Sequence, residues 1–288
     1  MKKIIIVLLC IILITVVFPL AINADTGPKP SVVIDFTGLE GQTYYVTLLS
    51  SVESTGPFSA LSDSNNANRH YEEGDEDYDI FLKFAEYKDC DGFYFLQFFK
   101  NCTQTHQFSW TYYPPQVFKI LVYFPETDSF IVSDATYERY AFDSYFTAEL
   151  TGTGLSAYQS YKYSGETLSL VLRILLTIAI ELVIALLFGY RAKKQILIIM
   201  LVNLVTQISL NLGLNAINYK SGAMAFIVFY VLLEIAVFIT EAVLYSWYLK
   251  KHSPKELPAW KPTVYALTAN AFSFALGVVL AYWIPGMF

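Results

Sequence analysis

Four long apolar stretches dominate the C-terminal part of the chain. They run about Leu168–Tyr190, Gln195–Ile217, Ala223–Leu249 and Thr263–Ile284. Each is long enough to cross a hydrocarbon layer of ~30 Å, which takes ~20 helical residues. In such a layer a backbone must satisfy its own hydrogen bonds, so the stretches read as helices. The loops between them are short and unevenly charged. Arg191, Lys193 and Lys194 follow the first stretch, and Lys250, Lys251, Lys255 and Lys261 follow the third. The connection between the second and third stretches carries only Lys220. Positive loops stay on the cytoplasmic side, which puts residues 25–164 and the C-terminus outside.

The first residues agree with that orientation by an independent route. Met1-Lys2-Lys3 is a basic start, Ile4 to Leu20 is almost wholly apolar, and Ala24 is a small residue at the boundary. This reads as a secretory signal peptide over 1–24 with cleavage after Ala24. An uncleaved anchor helix is the alternative, because the apolar run is long. A lipoprotein signal at Cys10 is rejected, since Leu9 stands where a small residue is needed.

Charge divides the chain in the same place. Residues 25–166 hold 21 of the 25 acidic side chains and 8 of the 19 basic ones, a net charge of −13. The rest carries 11 basic and 4 acidic residues, or +7. The acidic part excludes a nucleic-acid-seeking surface outside the membrane, and solubility is the ordinary reason for such a balance.

Within 25–164 the pattern is that of a β-rich (α+β) domain. Ser31–Thr37 and Gln42–Ser50 are β-branched and aromatic runs around Gly38-Leu39-Glu40-Gly41, and read as a hairpin. Gly92–Lys100 reads as one strand. Val117–Phe124 and Ser129–Ser133 flank a Pro125–Asp128 turn, a second hairpin. Phe142–Leu150 reads as a last strand. Asp77–Tyr87 places Ile80, Phe81 and Phe84 on one helical face, with acids at its N-terminal end. Ser51–Gly74 is a polar loop and reads as disordered.

Cys90 and Cys102 flank the Gly92–Lys100 run in a compartment that permits disulfides, and are expected to bridge. No metal site is expected. Asp75, Asp77, Asp79 and Glu86 fit some positions of a calcium loop, but Ile80 replaces the required glycine. His70 and His106 are isolated. No nucleophile elbow, zinc-protease helix or phosphate loop occurs, so neither catalytic residues nor a cofactor are assigned.

The spans are not uniformly apolar. Arg173, Glu181, Asn203, Thr206, Gln207, Asn211, Glu234 and Glu241 lie within them. A carboxylate at mid-membrane costs ~3 kcal/mol or more, so these groups are expected to form one intramembrane polar cluster. Counted from the cytoplasmic ends, Glu181, Asn203 and Glu241 share a depth of ~12–15 Å. Glu234, Asn211 and Arg173 make an outer layer, with Arg173 as the charge partner of Glu234. Asn203, Gln207 and Asn211 recur every four residues along one stripe. The last span offers only Asn270, Ser273 and other small polar groups, and is expected to pack peripherally. Helix-joining glue is one role for such residues, and an ion or proton relay is the other.

Asp25–Ser31, Gly38–Ser50, Tyr113–Tyr145 and Glu181–Lys194 (ELVIALLFGYRAKK) resemble exported membrane proteins of clostridia-like Gram-positive bacteria. The resemblance covers the whole chain. It implies the same layout and a single-membrane host, and it brings no activity or site residues. It also implies that Asn101-Cys102-Thr103 is no glycosylation signal.

The expected protein is thus a multi-pass cell-membrane protein: a signal peptide over 1–24, an extracellular domain over 25–164 and a four-helix transmembrane bundle over 165–288. Two functions fit. One is an envelope protein whose outer domain binds a ligand or a membrane or envelope protein partner while the bundle anchors it in the lipid bilayer. The other is an ion-coupled transporter-like protein using Glu181, Glu234 and Glu241. An intramembrane enzyme is a third class, and no residue set in the sequence supports it.

Overall fold

The computed structural model describes residues 28–61, 70–152, 154–161, 163–254 and 256–283. The expected signal peptide, residues 62–69 of the Ser51–Gly74 loop and the last five residues lie outside these. The chain forms two compact units, with the break between Tyr161 and Lys162.

The first unit holds strands β1 (Ser31–Thr37), β2 (Tyr45–Ser50), β3 (Ser54–Thr55), β4 (Phe58–Ser59), β5 (Tyr94–Phe95), β6 (Lys100–Asn101), β7 (Gln107–Trp110), β8 (Val117–Phe124), β9 (Ser129–Val132), β10 (Tyr137–Glu138), β11 (Asp143–Thr151) and β12 (Gly154–Gln159). Helix α1 (Tyr78–Glu86) follows β4. One sheet has the order β12-β11-β1-β7; the other runs β10-β8-β2-β5, with β6 also on β2 and β9 on β8. The sheets share a core of Val32, Ile34, Phe36, Val46, Leu48, Phe108, Trp110, Ile120, Val122 and Phe146. The outer face of the second sheet carries Tyr45, Leu49, Leu121 and Tyr123, packed against Phe81 and Phe84 of α1. That arrangement explains two sequence patterns. β1 alternates because only one face is covered. β2 and β8 are buried along almost their whole length because both faces are covered.

The β8–β9 hairpin forms, with Phe124 opposite Ser129. The β1–β2 hairpin does not. β1 pairs in parallel with β11 and antiparallel with β7, while β2 lies in the other sheet. Gly38 and Gly41, both with φ of 79°, turn the chain across the sandwich instead of closing a hairpin. The Gly92–Lys100 run is two short strands rather than one. Between them Leu96–Phe99 stand opposite only Thr47 and Leu48, so the excess bulges outward and Gln97 takes a φ of 60°.

The bulged run also undoes the expected disulfide: both cysteines are free, Cys90 exposed and Cys102 buried. Cys102 binds its backbone N–H to the Tyr44 carbonyl at one end of β2. Asp89 and Asp91, flanking Cys90, hold Lys119, which stands opposite Leu49 at the other end. Five residues of strand span ~16 Å, whereas a disulfide needs Cα atoms within ~7 Å. Burial pushes the Cys102 thiol up to about 12.

The second unit holds α2 (Tyr163–Leu187), α3 (Lys193–Lys251) and α4 (Lys261–Trp283). Among the described residues these three helices are long and apolar enough to cross a membrane. α3 is not one rod. Gly222 has φ 78° and ψ 178°, a backbone state essentially confined to glycine. The Asn203 amide reaches the Tyr245 hydroxyl at 2.9 Å. On a straight helix, residues 42 apart would be separated by ~63 Å, so 193–221 and 223–251 fold back as antiparallel arms.

Candidate functional site in the helical unit

A stripe of Gln195, Ile199, Asn203, Gln207 and Asn211 is buried along the first arm of α3. Spacing by four puts them on one face. On the second arm Glu241, Tyr245 and Leu249 face inward. Glu181 of α2 and Asn270 of α4 complete the centre. Glu181 and Glu241 are both 0% exposed, which decides that neither faces the apolar outside of the unit.

The two carboxyls differ in their surroundings. Glu241 is served by two donors: the Thr206 hydroxyl at 2.7 Å and the Asn270 amide at 2.7 Å. Among the described residues neither Glu181 oxygen has a donor within hydrogen-bond distance. Its charged neighbours are Glu241 and Glu234, and the Asn203 side chain lies beside it. The Asn203 amide nitrogen is taken by the Ile199 carbonyl at 3.1 Å and the Tyr245 hydroxyl. Its Oδ1 has no donor, and neither has Oδ1 of Asn270. The centre therefore has a surplus of acceptors: both Glu181 oxygens and two amide oxygens. Among the described residues no Lys or Arg forms an ion pair with Glu181 or Glu241.

Aromatic residues close one end of the site. Tyr265 donates to the Glu181 backbone carbonyl at 3.3 Å, and its ring packs on Tyr245 and Tyr190 at 5.4 and 5.2 Å. Tyr190 is placed by the end of α2. Gly189, at φ 81°, lets the Gly189 and Tyr190 amides return to the carbonyls of Leu186 and Ala185. This double closure folds the next side chain onto the helix.

The expected site residues thus fall into three groups. Glu181, Asn203 and Glu241 come together, with Thr206. Among the described residues Gln207 and Asn211 bond to each other and to their own helix, Asn211 Nδ2 to the Gln207 carbonyl at 2.8 Å. Arg173 and Glu234 are half-buried and both border the Tyr230 hydroxyl. The peripheral place expected for the last span is overturned. Tyr265, Ala266 and Ala269 of α4 are buried in the core of this unit, and Asn270 donates to Glu241. Sequence reading passed over Tyr245 and Tyr265, and gave Asn270 only a peripheral place. Tyr245 was open to discovery, since it lies four residues after Glu241 on the same face.

The pattern has a chemical reading. A carboxylate suits Glu241, which accepts two bonds. A carboxylic acid suits Glu181, because its proton can be donated to an acceptor such as Asn203 Oδ1.

No family model, curated protein or solved structure matches the chain.

Proposed function

We propose that this is an integral membrane protein whose helical unit crosses the bilayer and carries a proton on the Glu181–Glu241 pair, while the β-rich unit is presented outside as a recognition domain. The four spans would be α2, the two arms of α3, and α4. The observation that carries the reading is the acceptor surplus at Glu181. Polar glue between helices is expected to be satisfied, whereas a buried acid without a donor or cation calls for a role. The lysine-rich connections near 193 and 255 support the orientation.

The test is proton flux into vesicles that hold the purified chain and a trapped pH dye, driven by a potassium diffusion potential. Wild-type vesicles should acidify, and Glu181→Gln vesicles should not. Equal flux in the two would sink the proposal. Cysteines introduced at positions 193 and 255 should resist an impermeant thiol reagent in intact cells.

A second reading treats the bundle as an anchor only. The complete satisfaction of Glu241 by Thr206 and Asn270 favours it, since those bonds tie the first and second arms and α4 together. Under that reading neither form conducts protons.

A further inference from the structure

The β-rich unit has its own polar atom without a partner, and it lies beside a cleft. The edges of the two sheets meet on one side of the sandwich: β10 is the edge of one and β12 of the other. Ser133 bridges to Leu155, and the Asp134 amide donates to the Leu155 carbonyl. Next to this seam, β10, the turn after it and β12 enclose a cleft of about 540 Å³.

Its walls are aromatic and fixed. Tyr137, Tyr140, Phe146 and Tyr158 line it. The Tyr137 hydroxyl is held by the Ala157 amide at 2.7 Å. The Tyr140 hydroxyl is held between the amide and carbonyl of Tyr145, at 2.8 Å each. Those two rings therefore act as surfaces.

Arg139 is the cation of the cleft. One guanidinium nitrogen donates to Gln116 Oε1 at 2.7 Å, and Gln116 Nε2 returns to the Arg139 carbonyl at 3.0 Å. Gln116 thus sets the direction of the fork. Nε is buried and has no acceptor. Burial lowers the guanidinium pKa below its ordinary value. Among the described residues no carboxylate lies within ion-pair distance, in a region with net charge −13. Glu138 also lines the cleft, and it is engaged by Gln116 Nε2 at 3.3 Å rather than by Arg139. A half-desolvated guanidinium without a counter-ion, between ring surfaces, matches a ligand that has both an oxyanion and a flat or pyranose face.

We infer that this cleft binds a carboxylate-bearing sugar, with Arg139 as the anion contact and Tyr158 as the stacking rim. The inference names a ligand class for the proposed recognition domain. It does not depend on the helices, because every residue used lies within the β-rich unit.

The test uses the full chain in detergent and saturation-transfer NMR with three probes: glucuronate, glucose and inorganic phosphate. Glucuronate should receive saturation at its ring protons and bind at least tenfold more tightly than glucose. Arg139→Gln should weaken glucuronate about ten- to a hundredfold, the loss of one charge-assisted contact. Tyr158 is 54% exposed, so Tyr158→Ala leaves the core intact and should still reduce the signal severalfold. Phosphate competing as well as glucuronate would replace the sugar with a free oxyanion and overturn the proposal. Equal binding of glucose and glucuronate, or glucuronate binding untouched by both variants, would also overturn it. Proton flux is unaffected by either outcome, so this proposal and that of the helical site fail separately.

Discussion

The two units bury polar groups in opposite ways. In the β-rich unit, Lys119 is held by Asp89 and Asp91, Thr47 donates to the Phe98 carbonyl, and Gln97 joins the Ser59 carbonyl to the His70 amide. Thr47 and Gln97 complete places where the ladder of strands is interrupted, and Lys119 has its own counter-ions. The helical unit has no interrupted ladder to repair, since helix backbones are internally satisfied. Yet it buries Glu181 without a donor, and leaves Oδ1 of Asn203 and Asn270 unmatched. A polar group that repairs a backbone is structural. One that creates a deficit is retained for another reason. Arg139 is the exception within the β-rich unit, and it is there that the cleft lies.

The largest test of this contrast concerns the core that makes the first unit independent. Trp110 is fully buried, packs on Phe98 and Phe58 at 4.5 and 5.1 Å, and donates to the Tyr112 carbonyl. Trp110→Ala should cost about 3–5 kcal/mol. Hydrogen exchange should rise across β1, β7 and β11 and stay unchanged in α2 to α4. A matching rise in the helices would break the two-unit picture.

Gly222→Ala attacks the fold-back of α3. A side chain in that backbone state is strained by about 1–3 kcal/mol. The thermal midpoint in detergent should fall, with amides near Asn203 and Tyr245 losing protection first. No shift would mean that the arms are held apart from their hinge.

The two polar interiors should respond with opposite signs. Glu181→Leu removes an acid that nothing serves, so it should stabilise the helical unit by about 1–3 kcal/mol while ending proton uptake. Lys119→Met removes the partner of buried Asp89 and should destabilise the β-rich unit by about 1–2 kcal/mol, reduced because Asp91 stands in solvent. Burial alone would pull the Lys119 ammonium down, but hydrogen bonds to Asp91 and Asp89 outweigh it and leave its pKa above 10.5. Its contribution is therefore whole below that ordinary value and is lost as pH climbs through the higher folded one. An alkaline loss of stability that persists in Lys119→Met would assign the effect elsewhere.

The smallest effect belongs to the cysteines. Reducing agent should leave the thermal midpoint unmoved. A thiol reagent should modify Cys90 in the folded chain and reach Cys102 only on unfolding, as intact mass will report.

Most of the architecture was legible because it follows from local periodicity. Apolar length marked the helices, and the Pro125–Asp128 turn with its flanking runs marked β8 and β9. The spacing by four of Asn203, Gln207 and Asn211 marked a buried face. Other features depend on which distant segment arrives, and a single chain carries no local sign of that. β1 reads equally well beside β2 or β11, since any strand edge offers the same donors and acceptors. The cysteines flank one run, but a bulge opposite Thr47 and Leu48 carries that run along the whole of β2 and holds them apart. Asn270 reads as a minor polar residue until α4 brings it to Glu241. The sequence by itself determined that acids would be buried among helices, because hydrophobic length left them nowhere else. Only the tertiary structure decided which acid would have donors, because a hydrogen bond depends on the position of one atom and burial only on the side of a helix.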